Sequence, residues 1–120
     1  MKLTTRSWRN SLENKSKAQT FIGFAMRTGK FRIGANAAAT LKRAYLVIVC
    51  GTASDNTKKE AEKLARKFHC PIIEPIDKTL EEITHRENAK VMAIADKELS
   101  NAILSNSEKE FIARNQENNK

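Results

Sequence analysis

No stretch of this chain holds the roughly 20 consecutive apolar residues that a membrane-spanning helix requires. The longest such runs are short strand-like pieces such as Ala44 to Cys50. A secretory signal is not expected either, because Lys2, Arg6 and Arg9 are followed by no apolar segment. Cysteine is scarce: Cys50 and Cys70 provide neither a disulfide framework nor a metal-ligand spacing. Placed at the end of one strand and the start of the next parallel strand, the two thiols fall at opposite edges of the sheet and do not bridge. A reduced, cytoplasmic setting is the expectation.

Enzyme signatures are missing as well. Gly51-Thr52-Ala53-Ser54 lies between a strand and a helix, where α/β proteins often bind phosphate, but it lacks the Gly-x-x-x-x-Gly-Lys-Ser spacing of a P-loop. It reads as a connecting turn. Ser54, His69, His85 and the cysteines show no triad or metal spacing, so neither catalysis nor a metal site is expected.

Acidic residues are nearly absent from one part of the chain. Residues 1–43 hold ten Lys or Arg against the single acid Glu13, a charge of +9, whereas the rest holds twelve against thirteen, or −1. All of the net +8 is therefore N-terminal. Such asymmetry points to a polyanion, with nucleic acid the commonest intracellular one, or to a solubilising tail.

What is present is a balanced globular composition, 40% hydrophobic and 30% charged, in 120 residues that suit one domain. Residues 1–15 read as a loosely held basic extension, 16–114 as the domain and 115–120 as a frayed polar tail. Within the extension, Trp8 between Arg6 and Arg9 either stacks on a base or docks on the domain.

Ala18, Phe21, Ile22, Ala25 and Met26 follow one helical face, which Gly29 is placed to stop. Phe31 to Ile33 is a brief strand. The alanine-rich segment from Gly34 to Arg43 is a short helix with Asn36 as its expected N-cap. Tyr45 to Cys50 is a buried strand. Thr57 and Glu60 have capping-box spacing for a helix that buries Ala61, Leu64, Ala65 and Phe68, with His69 at its end.

Pro71 to Ile76 gives the next strand, which Pro75 marks as an edge. Thr79 and Glu82 cap a short helix, Arg86 to Lys90 is a loop, and Val91 to Ala95 is a fourth strand. Asp96 caps a helix built on Leu99, Ala102 and Ile103. Ser107 to Ile112 reads as a last helical turn or two. Alternating helices and buried strands predict an α/β fold: a three-layer α/β/α sandwich around a small four-stranded sheet, mixed but mostly parallel.

Three segments resemble a known family. Phe21-Ile22-Gly23-Phe24-Ala25-Met26-Arg27-Thr28-Gly29-Lys30 is similar to the opening helix of small bacterial YlxQ-type proteins, and Leu46 to Lys59 resembles their strand and Asp-Ala-Ser-x-Asn-Thr-Lys-Lys helix start. Val91 to Lys97 resembles their last strand and turn. These proteins belong to the kink-turn-binding ribosomal protein superfamily, with archaeal seven-Ae and eukaryotic L-thirty-e. The resemblance spans about residues 17 to 104 and keeps the family's order.

The resemblance implies a non-catalytic protein without a cofactor that binds structured RNA, ribosomal or other non-coding RNA, in a ribosome- or translation-associated role; a monomer is the expectation. It places the RNA against Lys30, Arg32, Gly34, Ala35 and Asn36, with Arg86, Asn88, Ala89 and Lys90 as a second wall. Three positions depart from the family pattern: Ala37 replaces a base-reading side chain, Glu81 stands in place of a glycine, and His85 replaces a later one. The second helix is also about three residues short. These departures fit an alternative, a degenerate member that uses the same fold to bind a protein partner.

Overall fold

Leu46–Val49 (β2) and Val91–Ile94 (β4) are apolar runs of four residues, buried at every position. Such runs are stable only in a sheet covered on both faces. They pair antiparallel from Leu46↔Ile94 to Val49↔Val91 and form the centre of the sheet. The computed structural model describes residues 17–76, 78–106 and 111–113; the expected extension at 1–15 and tail at 115–120 lie outside them.

Around this centre stand Phe31–Ile33 (β1), Ile72–Pro75 (β3) and Phe111–Ala113 (β5), giving a five-stranded sheet of order β1-β4-β2-β3-β5. Only β2 and β3 are parallel; the other three pairings are antiparallel. The 14-residue Asp55–Phe68 helix (α3) spans about 21 Å, enough to return the chain along β2 for a parallel β3. The five-residue Leu80–Thr84 helix (α4) spans only about 8 Å, and β4 runs back the other way.

The remaining helices are Lys17–Thr28 (α1), Ala35–Ala39 (α2) and Lys97–Ser105 (α5). α1 packs with α4 and α5, while α2 packs with α3, so the helices form two groups flanking the sheet. Ala18, Ile22 and Ala25 bury the α1 face, and Gly29 at φ 76° stops that helix as its sequence predicts. Thr79 and Glu82 form the expected capping box, and Asp96 caps α5 by accepting the Leu99 N–H at 2.9 Å.

Five expectations are corrected. The sheet has five strands rather than four, and it is not mostly parallel. Phe111 and Ile112, expected to be helical, form the fifth strand, pairing with Pro75 and Glu74. β3 is consequently interior, and Pro75 does not mark an edge. The cap of α3 is Ser54, whose hydroxyl accepts the Thr57 N–H at 3.1 Å; the Thr57 and Glu60 spacing was three residues late. The thiols are free and buried, at opposite ends of neighbouring strands as expected.

Candidate nucleic-acid interface

The Gly34 N–H donates to the Val91 carbonyl at 2.8 Å, which seats the start of α2 beside the start of β4. Gly34 adopts φ 98° and ψ 141°, a conformation that a residue with a side chain rarely holds, and it is the N-cap of α2. The Ala38 N–H returns to the Gly34 carbonyl at 2.9 Å. Asn36, expected as the cap, lies inside the first turn with its side chain exposed, and no side chain caps this helix. Gly34, Ala35 and Asn36 therefore sit next to the loop that precedes β4.

That loop is tied from within. α4 ends at His85 in the left-handed region (φ 60°), and Asn88 repeats that conformation at φ 61°. One Glu81 oxygen accepts the Asn88 N–H at 2.8 Å, while the other meets the Lys90 ammonium at 3.1 Å. Lys90 also donates to the Thr52 hydroxyl at 3.0 Å, and its carbonyl accepts the Cys50 N–H at 2.7 Å. The Lys90 hydrogen bond, then the Asn88 N–H, hold the Glu81 carboxyl below its ordinary value against a smaller opposing effect of desolvation.

The two walls thus contribute unequally. Ala89 is fully buried, and the Lys90 ammonium is committed to Glu81 and Thr52. Arg86 and Asn88 are exposed. Glu81, a departure from the family pattern in sequence, is the residue that fastens this loop. Spacing alone did not reveal it, because two left-handed turns are needed to bring residues 81 and 90 together.

β1 is the edge strand beside this junction. The Lys30 carbonyl accepts from Ala95 and Gly34 donates to Val91, so alternate residues bond inward and the backbone groups of Phe31 and Ile33 face the open edge. The Arg32 guanidinium donates to the Phe31 carbonyl there at 2.7 Å. The Arg86 guanidinium lies 5.4 Å from the centre of the Phe31 ring, a cation–π contact that brings the loop's cation to the same strand.

Lys30 stands apart from Gly34, at the opposite end of β1. Its ammonium lies 3.5 Å from Asp96 and its side chain stays 58% exposed. The Leu99 N–H, and to a lesser extent Lys30, hold the Asp96 carboxyl below its ordinary value, with desolvation opposing. Arg32 and Arg86 are therefore the predicted cations that flank the junction, with Lys30 at the far end of the edge.

The Gly51 to Ser54 turn differs in character. A Glu74 carboxylate oxygen lies 3.0 Å from where a Gly51 Cβ would stand, so an anion at this turn would meet a negative charge. Among the described residues, no group of three His, Cys, Asp or Glu is placed to hold a metal, and no helix is long and apolar enough to cross a membrane.

No family model and no curated protein matches this chain. A solved structure of a protein with unknown function from Bacillus halodurans is similar in fold, with a TM-score of 0.64 and 19% sequence identity over 76% of this chain and 96% of that one. At that identity the likeness speaks for the fold.

Proposed function

We propose that this chain is a non-catalytic protein that binds structured RNA along β1 and the junction of α2 with the loop before β4, in a cytoplasmic, translation-associated role. The observation that carries the reading is the meeting of two sequence-distant segments, 34–36 and 86–90, at the Gly34–Val91 hydrogen bond, with Arg32 and Arg86 on the adjoining edge strand. Exposed guanidiniums suit phosphates, the exposed Asn36 and Asn88 suit base edges, and a splayed RNA turn offers both.

Fluorescence anisotropy with a structured RNA hairpin, repeated across salt concentrations, tests this. Arg32→Glu with Arg86→Glu should weaken binding and reduce the salt slope by about 1 to 2, one phosphate contact per arginine. A folded double variant that binds with unchanged affinity sinks the assignment.

One observation favours a second reading, a protein-binding module on the same fold. Ala89 is buried, the Lys90 ammonium is held by Glu81 and Thr52, and Ala37 offers no base-reading group. Salt-insensitive capture of a protein partner, with no RNA enriched, would select this reading over the first.

A further inference from the structure

At the end of the sheet away from Gly34, a cleft of about 370 Å³ opens between the segment after α2 and the turn after α3. Lys42, Arg43, Tyr45, Phe68 and His69 line it. The two segments are clasped together: the Lys67 ammonium donates to the Ala39 carbonyl at 3.0 Å, and the Val47 N–H donates to the Pro71 carbonyl at 3.0 Å. Lys67 also sits 5.2 Å from the Phe68 ring centre, adding a cation at the rim.

The lining is chemically one-sided. Lys42, Arg43 and His69 are exposed, whereas Tyr45 and Phe68 are half-buried. Among the described residues, no carboxylate lines the cleft, and neither Lys42 nor Arg43 has an ion-pair partner. The C-terminal end of α3 points here, and its partial negative charge opposes an anion. That end is capped, however: the His69 and Cys70 N–H groups take the Arg66 and Ala65 carbonyls, and Arg66 and Lys67 occupy the last turn.

We propose that this cleft binds one nucleotide of a single-stranded RNA segment, with its phosphate at Lys42, Arg43 and His69 and its base against the rings of Tyr45 and Phe68. The volume suits a small ligand, and cations interleaved with aromatic rings are how sequence-tolerant single-strand sites are built. The site rests on the RNA-binding reading above and adds a second contact. It lies at the N-terminal end of β2, whereas the Gly34–Val91 junction is level with the C-terminal end, on the order of 13 Å away along the strand.

Anisotropy with a ten-nucleotide oligouridylate tests the site. Lys42→Glu with Arg43→Glu, both at exposed positions, should weaken the oligomer at least tenfold and reduce the salt slope by about 0.7, the value for one phosphate on a single strand. Phe68→Leu keeps apolar volume but removes a ring; it should weaken oligouridylate about tenfold while leaving heparin, a polyanion without bases, bound as before. Circular dichroism checks that each variant is folded.

No oligouridylate binding by the wild type, or wild-type affinity in the folded Lys42→Glu/Arg43→Glu variant, overturns the cleft. Equal losses on oligouridylate and heparin in Phe68→Leu overturn the base contact. Hairpin binding by Arg32→Glu/Arg86→Glu is measured in parallel. A loss there with none from the cleft variant keeps the junction and removes the cleft, and the opposite pattern does the reverse.

Discussion

Glu81 and Lys90 meet at 3.1 Å across the loop between α4 and β4, and the same carboxylate holds the Asn88 N–H at 2.8 Å. One side chain thus fixes both a backbone turn and the only lysine of the loop. Glu81→Ala should leave the sheet intact and free the loop, seen as faster hydrogen exchange at the Asn88 amide. The pH dependence follows from the carboxyl lying below its ordinary value of 4.5. A lowered folded pKa gives a tie that is complete above the unfolded value and is lost as pH falls through the folded one. Protection at Asn88 should therefore persist at pH 6 and fade only once the pH has fallen below 4.5 in the wild type, and be absent throughout in the variant.

Gly34 and Gly23 should respond to alanine with opposite signs. Both have open space where a Cβ would stand, so neither substitution clashes. Gly34 is at φ 98°, where a side chain is strained, and Gly34→Ala should cost about 1–3 kcal/mol. Gly23 lies inside α1, where alanine is the better helix former, and Gly23→Ala should add up to about 1 kcal/mol. Urea midpoints of the two variants measure this, and a stabilised Gly34→Ala would contradict the strained cap.

These elements also mark how far the sequence reaches. β2 and β4 were legible because an unbroken apolar run has few places to go but a covered sheet. α3 was legible from its stripe, although its cap sits at Ser54, three residues before the spacing at Thr57. β5 was not legible: Phe111 to Ala113 is three residues long and is a strand only because β3 offers a free side, a relationship between distant segments. The junction was placed by resemblance, since nothing local links Gly34 to Val91. The same limit hid the pairing of Lys90 with Glu81, which depends on left-handed residues at 85 and 88.

Ser100 predicts a stabilising change. Its hydroxyl is fully buried on α5 and has no hydrogen-bond partner among the described residues. A buried polar group left unpaired costs about 1–3 kcal/mol, and removing it recovers part of that. Ser100→Ala keeps the Cβ and should raise stability by about 1 kcal/mol, read as a higher urea midpoint with unchanged slope. A lower midpoint would mean that the hydroxyl has a partner.

Cys70 makes the fold sensitive to alkali. Burial pushes its thiol up to about 11 from 9.0, because the thiolate would be stranded away from water. A folded pKa raised above the unfolded one gives stability that is whole below pH 9 and is lost as pH climbs toward 11, where the unfolded chain ionises first. Cys70→Ala leaves a small cavity and should be less stable than the wild type at pH 7.5. It should nevertheless lose less between pH 7.5 and 10.5, since the rest of the chain is the same in both proteins and cancels in the comparison. Urea unfolding at the two pH values decides this; parallel losses would show that Cys70 contributes nothing to alkaline unfolding. Alkylation gives an independent measure, with Cys70 modified slowly in the folded chain at pH 8 and rapidly once urea exposes it.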